Sequence, residues 1–162
     1  MVNDFIDKNV PDAQKLIGVG ISVPAVLDKE RSYIRASHAL HLNNYSLKGL
    51  RDYLPYKVFF ENDANAAAYS EKQFREDTVF YLSLNYTVGG SLSVNGKLYD
   101  GSNNKSSEIG HVVLFPEGEK CYCGKKGCVD AYCSAKLLND GDLITFFEEM
   151  VMKTSKESGK TI

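Results

Sequence analysis

The chain has 162 residues, 43% of them hydrophobic, which supplies a core for one domain or two small lobes and excludes a disordered chain. Nineteen basic residues against 21 acidic ones leave a formal net charge of −2, so there is no basic footprint of the kind that nucleic-acid or anionic-membrane binding requires. The opening stretch MVNDFIDKNVPDAQK is polar without an apolar signal core, and no later stretch approaches the roughly 18 apolar residues of a membrane span, which points to the cytoplasm, where thiols stay reduced.

In chain order the elements alternate as in an α/β protein. KLIGVGISVPAV (15–26) reads as a buried strand running into a Pro-marked loop. NNYSLKGLRDYL (43–54) places apolar residues at helical spacing behind Ser46, which can cap, and KVFFEN (57–62) reads as a second short strand. DANAAAYSEKQFRE (63–76) begins with Asp63 as a candidate cap and continues in an alanine-rich run of high helix propensity. TVFYLSLNYTVGGSLSVNGKLYDG (78–101) reads as two β-rich runs broken by a glycine turn, the second closed by Asn95-Gly96, a strong hairpin signal. VDAYCSAKLL (129–138) and DLITFFEEMVMKTS (142–155) read as helices, and the tail KESGKTI (156–162) is polar. No internal repeat or low-complexity linker is present, and the sequons at Asn44, Asn85 and Asn104 carry no meaning in a cytoplasmic chain.

The densest chemistry lies between these runs. Cys121, Cys123 and Cys128 fall within eight residues, with glycines where the chain must fold tightly around an ion, and His111 precedes them. One imidazole and three thiolates satisfy tetrahedral zinc with no open position, which makes the site structural; reduced cysteines on an unliganded loop are the alternative. Cys133 falls outside the spacing, on a predicted helix, and reads as a small core residue.

ENDANAAAYSE at 61–71, NGKLYDG at 95–101, EIGH at 108–111 and CYCGKKGC at 121–128 stand in the order and spacing of the ROK family, the repressors and sugar kinases built on an actin-like, ribonuclease-H-like fold, and the chain resembles that family from about GVGISVPAVLD to CSAKLL. The resemblance implies a partial ROK fold with a zinc-binding loop, in which 1–60 ends the small lobe and 61–162 begins the large one. The family's amino-terminal Asp-x-Gly-Gly-Thr strand pair and the second half of its large lobe have no counterpart, so the chain is expected to be a middle fragment.

The resemblance also implies a sugar site. A hexose needs a ring of carboxylates, amides and imidazole to take its hydroxyls, and Asn62, Asp63, Glu108, His111 and Asp130 match the family's set. Asp63 matches the base that accepts a proton from the sugar hydroxyl as it attacks the γ-phosphate of ATP, with Mg²⁺ as the companion ion; without the resemblance it is a helix cap. Likewise Glu108 alone reads as an exposed loop residue, and His111 as a zinc ligand whose second nitrogen holds a carbonyl. Three departures accompany these matches. Asn85, Tyr86, Thr87, Val88, Gly89 and Gly90 replace the family's Gly-Thr-Gly turn, where bulky side chains obstruct the close approach of phosphates and put ATP binding in doubt. Asp130 stands where the family has glutamate, one methylene shorter, so its hydroxyl contact becomes water-mediated. CYCG is similar to the repressor branch, of the xylose and N-acetylglucosamine repressor type.

Two functions follow. The first is the effector-binding part of a ROK regulator, a homodimer that senses a sugar or sugar phosphate, has only a vestige of catalysis in Asp63, and touches DNA through a domain outside this chain. The second is a fragment of an ATP-dependent sugar kinase of the glucokinase or N-acetylhexosamine kinase type. A zinc-stabilised piece that binds nothing by itself is a third.

Overall fold

A computed structural model describes residues 2–12, 15–72, 78–137 and 152. The chain divides into two compact units, 1–66 and 67–162, with the boundary inside one helix.

The first unit opens with helix α1 (Val2–Asn9), which the polar character of this stretch conceals: Val2, Phe5 and Ile6 share a face, Ile6 is buried, and Asp4 and Lys8 lie at the ends that the helix dipole favours. Strand β1 (Val19–Val23) pairs in parallel with β5 (Val58–Asn62), Val19 opposite Val58 through Val23 opposite Asn62. A parallel pair needs a long crossover. Here it holds a three-stranded antiparallel meander of β2 (Val26–Leu27), β3 (Tyr33–Ser37) and β4 (Leu42–Ser46), then helix α2 (Lys48–Tyr53). Val23, Ala25, Leu27, Ile34, Leu47, Leu54, Val58 and Phe60 form the core of this unit.

The helix expected over 43–54 is therefore half strand. Asn43 and Tyr45 pair with Ala36 and Ile34 across the β3–β4 hairpin, and the helix starts only after Leu47, whose side chain is wholly buried. Leu47, Leu50 and Leu54 supplied the helical spacing, while asparagines have poor helix propensity and leave the preceding segment to the hairpin. Ser46 does act at the helix start, its Oγ accepting the amide of Lys48 at 3.3 Å.

Helix α3 (Asp63–Lys72) occupies the alanine-rich run, and the predicted continuation over 73–76 lies outside the described residues. In the second unit β6 (Val79–Leu84), β7 (Val88–Val94) and β8 (Lys97–Leu98) make an antiparallel sheet, closed between β7 and β8 by Asn95-Gly96 as expected. The break between β6 and β7 is not a glycine turn: Asn85–Thr87 make it, and Gly89 and Gly90 are paired inside β7 with Ser83 and Leu82. A 3-10 turn (Ile109–His111) packs on β7, and two isolated bridges, Val113 with Cys128 and Lys120 with Lys126, fold the cysteine loop.

The expected helix over 129–138 shrinks to α4 (Asp130–Cys133) and a 3-10 turn (Ala135–Leu137), with Ser134 extended between them. The amide of Ala135 bonds the carbonyl of Asn85 at 2.8 Å in place of continuing the helix. The run predicted as a helix over 142–155 lies outside the described residues except for Met152. No helix of the described residues is long and apolar enough to cross a membrane.

Candidate metal centre

His111, Cys121, Cys123 and Cys128 converge, one ligand atom from each lying within 4.8 Å of the others. Two glycines make this convergence possible. A Cβ at Gly110 would overlap the carbonyl of Val88, so only glycine lets the 3-10 turn lie flat on β7 and present His111. Gly127 has φ +73, and a Cβ there would overlap the carbonyl of Phe115, so glycine again lets the loop close and deliver Cys128. Tyr132 is wholly buried, packs edge-on to Phe115 with ring centroids 5.3 Å apart, and accepts the amide of Glu119 on its hydroxyl at 2.8 Å.

The donor set fits a metal ion. Ligands on a tetrahedron with zinc–sulfur distances of about 2.3 Å stand about 3.8 Å apart along its edges. Cys121 Sγ lies 3.7 Å from His111 Nδ1, and Cys123 Sγ lies 3.7 Å from Cys128 Sγ, far beyond a disulfide bond. Burial pushes the Cys128 thiol up to about 12, and it raises Cys121 as well. Cys123 is lowered: burial opposes its ionisation, but the amide of Lys125 and the neighbouring thiols outweigh it. Three ionised sulfurs this close require a cation between them, so the cluster can hold a metal such as zinc. Cys133 lies outside the cluster, half-buried on α4, where burial raises its thiol.

His111 faces the cluster through Nδ1, which leaves Nε2 pointing at the hydroxyl of Tyr122, 3.4 Å away, with the two rings edge-on. The second nitrogen therefore meets a side chain rather than a backbone carbonyl. Sequence reasoning passed over Tyr122, whose only signal was its place between two metal ligands. Glu108 is exposed at the start of the same 3-10 turn, its carbonyl accepting the amide of His111 at 3.0 Å.

Asp130 is wholly buried. Its Oδ1 accepts the amide of Val88 at 2.6 Å and its Oδ2 the ammonium of Lys136 at 2.6 Å, so both oxygens are engaged by protein groups. The turn at Asn85–Thr87 is also internally bonded: Tyr86 N–H donates to Asn85 Oδ1 at 2.8 Å, and Asn85 N–H to the carbonyl of Thr87 at 3.3 Å.

In the first unit the end of β5 carries a second polar network. The helix cap is Asn62, not Asp63: Asn62 Oδ1 accepts the amide of Asn65 at 3.0 Å, while its Nδ2 donates to the carbonyl of Ala25 at 3.2 Å. Glu61 Oε1 accepts the amide of Asn62 and the side chain of Asn65, and Arg31 grips Glu61 Oε2 through Nε and Nη2 at 3.3 and 3.1 Å. Asp63 is exposed at the first helical position, its Oδ1 accepting the amide of Ala64 at 2.9 Å. Arg31 lies 30 residues from Glu61, and nothing in the local sequence announces the pair.

Comparison with known proteins agrees with this arrangement. The family model described as "ROK family" matches residues 1–141. The xylose repressor of Bacillus subtilis (strain 168) is 34% identical over 143 residues, which cover 85% of this chain and 37% of the repressor. The glucokinase of Thermotoga maritima is 35% identical over 136 residues, covering 78% of this chain and 42% of the enzyme. The ROK glucokinase of Streptomyces griseus, crystallised with glucose and AMPPNP, superposes with a TM-score of 0.70 at 27% identity, covering 83% of this chain and 46% of that one. The chain thus spans about two fifths of the length of these curated relatives, within an actin-like fold shared by regulators and kinases. With its motifs, its fold and a match running through most of its length in agreement, the chain belongs to the ROK family.

Proposed function

We propose that the chain is the sugar-effector portion of a ROK transcriptional regulator and does not catalyse phosphoryl transfer. The observation that carries this reading is the state of the turn at Asn85–Thr87. A phosphate cradle works by leaving backbone amides bare. Here Tyr86 N–H is taken by Asn85 Oδ1 and Val88 N–H by the buried carboxylate of Asp130, while the Tyr86 side chain stands exposed beside them. An internal carboxylate thus takes an amide next to this turn that a phosphate cradle would leave bare. Similarity to a xylose repressor supports the same reading.

Asn62, Asp63, Glu108 and His111 are the hydroxyl-binding groups in this reading, and Asp63 is a vestigial base. Residues 1–60 end the small lobe and 61–162 begin the large one. Zinc bound by His111, Cys121, Cys123 and Cys128 is structural: it fixes the imidazole and does no chemistry. The parent protein is a cytoplasmic homodimer that reads DNA through a domain outside these residues. A kinase fragment is the second reading, favoured by 35% identity to a glucokinase.

A thermal-shift screen of monosaccharides and their 6-phosphates, paired with a coupled assay for sugar-dependent ATP hydrolysis, separates the two. The regulator reading expects stabilisation by at least one sugar, its loss in Glu108→Ala, and no ATP turnover. Turnover that disappears in Asp63→Asn would make the chain an enzyme, and no stabilisation by any sugar would remove the effector reading.

A further inference from the structure

Resting on the sugar-binding reading, we infer that Lys136 is a ligand-binding residue and that the ligand presents an anionic group, a carboxylate or phosphate, to it. The argument starts from Asp130. Its position is the one at which the resemblance expects a carboxylate turned to a sugar hydroxyl, but this aspartate is wholly buried and both its oxygens are occupied, by the Val88 amide and by Lys136 Nζ at 2.6 Å each. Of this pair it is the Lys136 side chain that is partly exposed, 28% against 0% for Asp130. A hydroxyl-accepting carboxylate has thus been exchanged for a cationic donor.

Lys136 is also placed against the metal centre. Its Nζ lies 4.4 Å from the centroid of the Tyr122 ring, and Tyr122 packs edge-on to His111, ring centroids 5.3 Å apart, with its hydroxyl toward Nε2. The adjacent Ala135 donates its amide to the carbonyl of Asn85, so Lys136 follows directly on a contact with the Asn85–Thr87 turn. An ammonium has three N–H bonds. Among the described residues one is directed at Asp130 and the charge lies over the face of Tyr122, which holds the head group in one orientation while leaving donors to spare. Lys125 brings a second cation to the metal centre, its Nζ donating to the carbonyl of His111 at 2.7 Å. A charged acceptor gains most from such a site, because a charge-assisted hydrogen bond is about twice as strong as a neutral one.

The test is calorimetric titration of the 162-residue chain with D-glucose, D-glucose 6-phosphate, D-glucuronate and inorganic phosphate as the probes. At least one of the two anionic sugars should bind about tenfold or more tightly than glucose, and which one does so identifies the group. Lys136→Met should bring its affinity to within about twofold of that for glucose, while Lys136→Arg keeps most of the preference. Equal binding of glucose and both anions overturns the inference and leaves the sugar reading standing. So does a preference that survives in a folded Lys136→Met, and so does inorganic phosphate binding as tightly as the sugar phosphate, which marks a bare anion site. If Lys136→Met does not fold, Lys136→Gln and the salt dependence of the wild-type preference decide, since a preference that does not fall with salt contradicts a role for charge. Binding of none of the four overturns the inference, and the screen of monosaccharides and their 6-phosphates then decides the sugar reading.

Discussion

Replacing Cys128 with serine tests whether the loop between β8 and α4 owes its structure to a metal. The thiol is wholly buried, 3.7 Å from Cys123 Sγ, and serine at the same place neither reaches as far nor ionises near neutral pH. The variant leaves three ligands, two of them thiolates, around an ion that keeps its charge. Removing one partner from a buried ionic contact costs about 3–5 kcal/mol, a few-hundred- to few-thousand-fold in affinity. That is a minor share of the roughly 10–16 kcal/mol by which structural zinc holds small domains together, so Cys128→Ser should still bind zinc but surrender it to a chelator that leaves the wild type intact. The loop would then rest on its backbone hydrogen bonds, the two isolated bridges among them, and on the contacts of Tyr132 with Phe115 and Glu119. Elemental analysis of protein purified without added metal should give one zinc per chain for the wild type and for Cys133→Ser, whose sulfur lies outside the cluster. Chelator titration followed by protease sensitivity of the loop then reads the difference. A wild type with well under one zinc and a protected loop, or a Cys128→Ser variant as resistant to chelator as the wild type, refutes the assignment.

Gly110→Ala should destabilise the second unit by about 2 kcal/mol or more and weaken zinc retention, because its Cβ would overlap the Val88 carbonyl and push His111 off β7. Gly49→Ala on α2, where a Cβ meets nothing within 4 Å, should stabilise by about 0.4–1 kcal/mol, and paired urea melts with zinc analysis compare the two. Asp28 gives a pH dependence: burial works against its ionisation, but the amides of Tyr33 at 2.8 Å and Ser32 at 2.7 Å, helped by Arg35, hold its carboxyl below the usual carboxylate range. Its contribution is therefore present above the unfolded-state value and lost as pH falls through the folded one, so Asp28→Asn should cost about 1–2 kcal/mol at pH 7 and converge on the wild type in the acid. A difference that stays constant from neutral pH to about pH 3 contradicts this account.

The metal centre was legible because its parts are local. His111 to Cys128 is a single loop, and the identity of its donors, the glycines between them and the need for a tetrahedron constrain one another within a short stretch. Strands were legible where hydrophobic runs were bounded by turns, as at β1, β5, β6 and β7. The β3–β4 hairpin was hidden because the leucines of α2 extended a helical spacing backwards into it, and α1 because its charged residues outweigh the short apolar face that Ile6 anchors.

What no local pattern could supply is the pairing of polar groups across the chain. Asp130 meets Val88 over 42 residues and Arg31 meets Glu61 over 30, separations at which neither helical nor strand periodicity carries information. Asp130 shows how much turns on this. In the sequence it is a glutamate shortened by one methylene, and the natural inference is that it still serves the sugar at longer range. In the fold the same carboxylate instead closes on an amide of β7 and a lysine six residues ahead, within the second unit. Buried charge is tolerated only when paired, so Asp130 and Lys136 have to be read as one unit, in which the acid is wholly buried and the lysine side chain partly exposed. If Lys136 binds the ligand as inferred, the pair of residues 130 and 136, and not residue 130 alone, sets whether a ligand there meets an acceptor or a donor.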